Sequence, residues 1–334
     1  MKTVGVFYEH PEWFVPLFAE MDRRGLSYER IEAHAHRYDP SASTSPYGLV
    51  LNRVSASSYL RGHAQAIFHA YEYLTHLEQI GVPVVNGSRA FALDTSKARQ
   101  LTLMARLGIR HPRSRVANSV DQIVAAAAEL EYPLIVKPNI GGSGALMRRF
   151  LAAEEVREAA ADGSLQPILG LDSTAIVQEF HPPRGGSITR IEALDGKFLY
   201  AIKIQTDPNQ GFNICPADIC QVGDASAPAP AGGLDFCPAD APVRRALQIE
   251  AATPPDHLIQ SVLTIFREAG LDVGGVEYLE SDRDGRNYIY DINSLSNFVT
   301  DAPNLVGFDP FVRFVDYLER RAAGATRELA GSVR

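Results

Sequence analysis

A mixed α/β fold is what this sequence predicts, and three observations carry the prediction. Short apolar runs, VGVFY near the start and YGLVLNRV from Tyr47 to Val54, alternate with stretches of helical period, the pattern of βαβ units around a small parallel sheet. Later strand runs come in pairs joined by turn signals, as in ITRIEALDGKFLYAIKI, where Asp195-Gly196 marks a hairpin. The chain has 334 residues, 46% of them hydrophobic and 22% charged. At about 150 residues per domain, that is enough for roughly two domains with buried cores.

Each element follows from its local pattern. VGVFY predicts a strand, followed by a helix from Trp13 to Arg24 that Gly25 stops. The extended run YERIEA and then YGLVLNRV follow. Between Ala64 and Ile80 the residues Ile67, Phe68, Tyr71, Leu74 and Leu77 recur at spacings of three and four, which predicts an amphipathic helix ending at Gly81. VPVVN predicts a further strand. A helix is expected from Ser96 to Leu107, then the buried strand YPLIVK, the flexible loop Asn139 to Gly144, a returning strand from Ala145 to Phe150 and a helix from Ala153 to Ala160. The strand TAIVQEF opens the second half. Residues 207 to 256 are rich in Pro, Ala, Asp and Gly and predict an inserted, lid-like loop. A helix from His257 to Ala269, the hairpin VGGVEYLESDRDGRNYIYDIN, a terminal helix around Phe311 to Arg321 and a frayed tail complete the order.

Composition excludes several function classes. No apolar run approaches the roughly 18 residues of a membrane span. The first residues reach Glu9 and His10 before a secretory apolar core can form, so a cytoplasmic setting is expected. The 32 Lys plus Arg stand against 40 Asp plus Glu, a net charge of −8, with no dense basic block for nucleic acid. A local phosphate site remains compatible with that balance. Cys215, Cys220 and Cys237 are odd in number and have no fourth ligand nearby, so they read as thiols of the insertion rather than as a zinc site.

Three features could carry chemistry. Lys137 ends a buried strand and runs into a loop holding Gly142, Ser143 and Gly144; an ammonium with glycine N–H groups suits polyphosphate, although such loops also serve as plain hairpins. Glu277 precedes the Asp282 to Gly285 turn by five residues, and Asp291 follows it by six, so the strands pair near these positions. With Asn293 two residues further on the same face, three oxygen donors suit Mg²⁺ (or Mn²⁺); a solvated hairpin face is the alternative. Gln178, Glu179 and Phe180 end an apolar strand that could hydrogen-bond an adenine edge.

Lys97, Lys137 with its glycine loop, the QEF run, Arg190, Lys203 and the Glu277…Asp291-Ile-Asn293 set occur in that order, and this order resembles the ATP-grasp superfamily. The likeness is nearest to RimK-type ligases, with glutathione synthetase and D-alanine–D-alanine ligase more distant; LNRVSAS and GVPVVNGSRAFALDTSKARQLTLMARLGIRHP carry it into the first third. It spans residues 1 to 320, with 207 to 256 loosely matched. The resemblance implies an ATP-grasp fold with an N-terminal Rossmann-like domain over 1–88, a first ATP-binding subdomain over 89–172 and a second over 173–325.

It further implies that Lys97 and Lys137 contact ATP phosphates, that Gly142, Ser143 and Gly144 close over them, and that Gln178, Glu179 and Phe180 form the adenine hinge. Glu277, Asp291 and Asn293 would hold Mg²⁺, Arg190 and Lys203 would stand near the transferred phosphate, and Arg53 and Ser57 would face a carboxylate substrate. Asn213, in the insertion, is expected to line the acceptor pocket. Three departures fall on the substrate side: HPPRGG follows the hinge, Ile188 and Thr189 rather than an acid precede Arg190, and Asn293-Ser-Leu-Ser-Asn297 replaces an Asn-x-x-Pro-Gly ending. The activity implied is ATP-dependent ligation of a small carboxylate to an amine, an amino acid or peptide among them. A small-molecule kinase and a non-catalytic nucleotide-binding module stand as alternatives, and the oligomeric state is open.

Overall fold

A computed structural model describes residues 3–142, 144–206 and 248–331. Its first sheet comprises β1 (Thr3–Tyr8), β2 (Tyr28–Glu32), β3 (Tyr47–Arg53) and β4 (Val84–Val85), in the order β2-β1-β3-β4 and parallel throughout. Strand alternation gives it two apolar faces. Val4, Val6 and Tyr8 pack with Leu17, Phe18 and Met21 of α1 (Val15–Arg23), while Phe7 and Val50 pack with Ile67, Ala70 and Leu74 of α2 (Ala64–Gln79). The chain leaves β1 toward β2 on one side and returns to β3 on the other. Such a reversal opens a crevice beyond the carboxyl ends of the two strands, from which the Val54–Ser57 loop leads.

α3 (Ser88–Asp94) and α4 (Lys97–Arg106) follow. The second sheet, of β5 (Ser114–Ala117), β6 (Leu134–Pro138), β7 (Arg148–Phe150) and β8 (Ala175–Glu179), is antiparallel in the order β5-β8-β6-β7 and packs on α5 (Val120–Ala127) and α6 (Ala153–Ala161). The third, of β9 (Ser187–Leu194), β10 (Lys197–Gln205), β11 (Ile249–Ala251), β12 (Val273–Glu280) and β13 (Asn287–Asn293), is antiparallel in the order β11-β10-β9-β12-β13. One of its faces carries Ile191, Ala193, Ala201 and Val276 against α7 (Asp256–Ala269). The other shares a core with the first sheet, α1 and α9 (Pro310–Gly331), α8 (Ala302–Val306) lying just before α9.

Several local readings change. Thr95 and Ser96 break the chain between α3 and α4, because the Ser96 hydroxyl caps α4 by accepting the Arg99 N–H at 3.3 Å. Gly144 to Leu146 turn, with Leu146 at φ 58°, so only Arg148–Phe150 of the expected returning strand is extended. β5 and α5 lack a sequence signal strong enough to predict them. Ile249–Ala251, inside the expected loop, pairs with β10 as an edge strand. The terminal helix, expected around Phe311 to Arg321, spans Pro310–Gly331 and takes in part of the tail expected to fray from Thr326. Asn213 and the three cysteines lie outside the described residues.

Candidate active site

Facing sides of the second and third sheets, with the first sheet at one end, enclose a cavity of about 740 Å³. Period-two alternation decides what faces it. On the second sheet Ile135 and Lys137 of β6 and Gln178 of β8 look inward. On the third, Ile188 and Arg190 of β9, Glu277 and Leu279 of β12 and Asp291 and Asn293 of β13 do so. Glu277 is the ladder partner of both Arg190 and Asp291, which brings cation and carboxylates side by side. A bulge leaves Tyr290 unpaired and turns its hydroxyl to Glu277, to which it donates at 2.9 Å.

Lys97, at the start of α4, pairs with Asp291, and Asn293 Nδ2 donates to the other Asp291 oxygen at 3.2 Å. Burial works against the charge of Lys97, but Asp291, Glu277 and Asp94 outweigh it and hold its pKa above the ordinary lysine value. Lys137 has no carboxylate at contact distance: its Nζ donates to Gln178 Oε1 at 3.0 Å. Burial, then repulsion from Lys97, brings its pKa down to about 7. Burial lifts Glu277 above the usual carboxylate range despite Arg190, which donates from Nη1 at 3.0 Å. Asp291 stays below that range because Lys97 and Lys137 outweigh its burial.

Glu277, Asp291 and Asn293 thus present hard oxygen donors from one sheet face, a set that suits a divalent cation completed by other oxygen ligands. Among the described residues, no group of three or more His, Cys, Asp and Glu could hold a metal ion by itself.

Gly142 lies against Ser57 so closely that a Cβ there would stand 2.5 Å from the Ser57 Cβ; Ser143 is outside the described residues. Gln178, Glu179 and Phe180 all border the cavity. The Glu179 side chain points to the far side of the sheet, to Arg113 and the Glu131 N–H, so only its backbone could serve a hinge.

Two expectations need correction. Lys203 is the ladder partner of Thr189, which puts its side chain on the sheet face opposite Arg190, where it pairs with Glu250 at 3.5 Å. That placement does not fit a group near the transferred phosphate. Arg53 is 1% exposed, stacks between Phe14 and Phe314 and donates to the Ser296 carbonyl, so it braces the 294–297 loop from behind instead of facing a substrate. Ser57 does border the cavity. Among the lining residues that sequence reasoning missed are Asp94, its pKa lifted by burial to about 6, Tyr290, His181 and Trp13. A strand-face count places Tyr290 on the wrong side because a bulge shifts it. Asp94 stands three residues before Lys97 and carried a signal in that spacing.

The fold is an ATP-grasp fold: two antiparallel sheets around a cavity whose walls bear paired lysines and carboxylates. The chain is similar in sequence and fold to members of the ATP-grasp superfamily. The family described as carbamoyl-phosphate synthase L chain, ATP binding domain, matches residues 94–176. A probable alpha-L-glutamate ligase of Serratia proteamaculans is 27% identical over 319 residues, 93% of this chain and 92% of that relative. One of Thioalkalivibrio sulfidiphilus is 33% identical over 141 residues, 42% of this chain and only 45% of that relative's length. Among solved structures, the ATP-grasp ligase PsnB complexed with a minimal precursor superposes with a TM-score of 0.64 at 18% identity, over 96% of this chain and 100% of its own. Among the described residues no helix is long and apolar enough to cross a membrane.

Proposed function

We propose that this protein is an ATP-dependent carboxylate–amine ligase that joins a small acid to an amine, an amino acid or peptide among the candidates, and releases ADP and phosphate. One observation carries the reading: Lys97, Lys137 and Arg190 converge on the one cavity that Glu277, Asp291 and Asn293 also line. Cations there would neutralise phosphate charge, and acids opposite them would hold Mg²⁺; PsnB has been solved with Mg and ADP. When bound, the metal ion would screen the phosphate oxygens during transfer.

The chain's own part is positioning and charge neutralisation. Lys97 and Lys137 would hold the phosphates from opposite walls. Arg190 would sit where negative charge builds as phosphate passes to the acid. Gly142, packed on Ser57, would close the loop and keep water from the activated acid. The amine then displaces phosphate from the acyl phosphate; the C–O bond breaks as C–N forms, the amine losing a proton. No protein nucleophile takes part.

The test is to incubate the protein with ATP, Mg²⁺, a panel of amino acids and small carboxylates, and hydroxylamine as surrogate amine. A ligase yields ADP with hydroxamate for its own acid. ADP with no hydroxamate for any acid, on a hydroxylated compound, would identify a kinase, and no ADP at all a non-catalytic module.

A further inference from the structure

We propose that Glu192, which does not line the cavity, is the positioning residue that aims Arg190 and ties it to the loop at the substrate end; this rests on the ligase reading above. Glu192 is 0% exposed. Its Oε1 accepts from Arg190 Nε at 2.6 Å and from the Ser296 hydroxyl at 2.8 Å. Its Oε2 has no hydrogen-bond partner among the described residues. A carboxylate so deep is costly unless its contacts are used, because buried charge needs a matched partner.

The geometry explains what it is used for. Arg190 and Glu192 stand two residues apart on β9 and so share a face. Nε is held by Glu192 and Nη1 by Glu277, which clamps the guanidinium along two edges and fixes its plane. Gly275 is the ladder partner of Glu192, and a Cβ there would come within 2.5 Å of Arg190 Nη2; the glycine leaves room for this one pose. Ile188 and Thr189, the two residues before Arg190, carry no carboxylate on that side along the strand. Glu192 supplies it from the other.

Ser296 joins this clamp to the loop. Its hydroxyl meets Glu192 and also accepts the Phe298 N–H at 3.1 Å, while its carbonyl accepts from Arg53. Arg53, Ser296, Glu192, Arg190 and Glu277 therefore form one hydrogen-bonded chain from the first sheet to the phosphate wall. Ser296 and Asn297 border the cavity, so the arginine and this border move or hold together. Glu192 keeps the loop in place while the activated acid waits for its amine.

Glu192→Gln keeps shape and removes charge, and Ser296→Ala cuts only the tie to the loop. Both are assayed in the full chain with the acid found by the hydroxamate screen, measuring ADP and hydroxamate in the same samples. For Glu192→Gln we expect kcat to fall by ~10²-fold with the KM for ATP within about twofold of wild type, the mark of a misaimed group rather than lost binding. For both variants we expect ADP in excess of hydroxamate, against equal amounts in wild type. Thermal unfolding checks folding; if Glu192→Gln fails to fold, the ADP-to-hydroxamate ratio of Ser296→Ala decides. Equal ADP and hydroxamate in the folded variants, or a loss confined to the KM for ATP, overturns the assignment. A wild-type protein that makes no hydroxamate with any acid instead overturns the ligase reading, and this assignment with it.

Discussion

At pH 8, ATP binding should draw most of a proton from solvent, and Lys137 should be the group that takes it. The perturbation is Lys137→Met, which keeps the apolar stem and removes the ammonium. In the absence of ligand the Lys137 pKa lies near 7, set by burial and the Lys97 charge, with Asp291 and Glu277 acting the other way. At pH 8 such a group is about one-tenth protonated, and triphosphate beside it restores the charged form, an uptake of about 0.9 proton. At pH 6 it is already about nine-tenths protonated, and the uptake falls to ~0.1. Calorimetric titration with ATP in buffers of different ionisation enthalpy reads this number. Subtracting the variant removes proton equilibria belonging to ATP itself. An uptake that does not change between pH 6 and pH 8, or that persists in Lys137→Met, would refute both the low pKa and the placement of Lys137 at the phosphates.

The same shift predicts a gain in stability. A lysine whose folded pKa lies near 7 against an ordinary 10.5 penalises the folded state fully below about pH 7, and progressively less as pH rises to 10.5. Lys137→Met should therefore raise Tm at pH 6, with the gap closing toward pH 10, as thermal scans across that range would show. Lys203→Ala should leave kcat and KM within about twofold of wild type, since its exposed pair with Glu250 is worth about 0–1 kcal/mol and faces away from the cavity; a loss of ~100-fold would restore it to the site. Gly142→Ala puts a Cβ 2.5 Å from that of Ser57 and should raise the KM for ATP by ~10-fold with little change in Tm; unchanged kinetics would mean that the loop closes without this contact.

Much of the site was legible because it rests on short-range pattern. Lys137 ends a strand of pure apolar character, and strand alternation put Asp291 and Asn293 on one face, while the bulge at Tyr290 was needed to bring Glu277 opposite Asp291. Lys203 misled because a bulge between Phe198 and Tyr200 shifts the β9–β10 hairpin register by one residue. One residue of slip exchanges the two faces, and nothing local to KFLYAIKI says which face Lys203 takes. Tyr290 was missed for a related reason: a bulge inserts one residue and re-aims the hydroxyl.

By itself, then, the chain's sequence determined the element types, the order of cations and acids along it, and the ATP-grasp resemblance, since hydrophobic period, turn chemistry and motif order are all written locally. Tertiary structure alone decided that Arg53 is a buried brace, that Lys203 faces away from the site, and that Glu192 and Gly275 fix the pose of Arg190. Those outcomes depend on which strand lies beside which and on what a side chain meets across it, and residues far apart in sequence settle that only when the sheets are assembled.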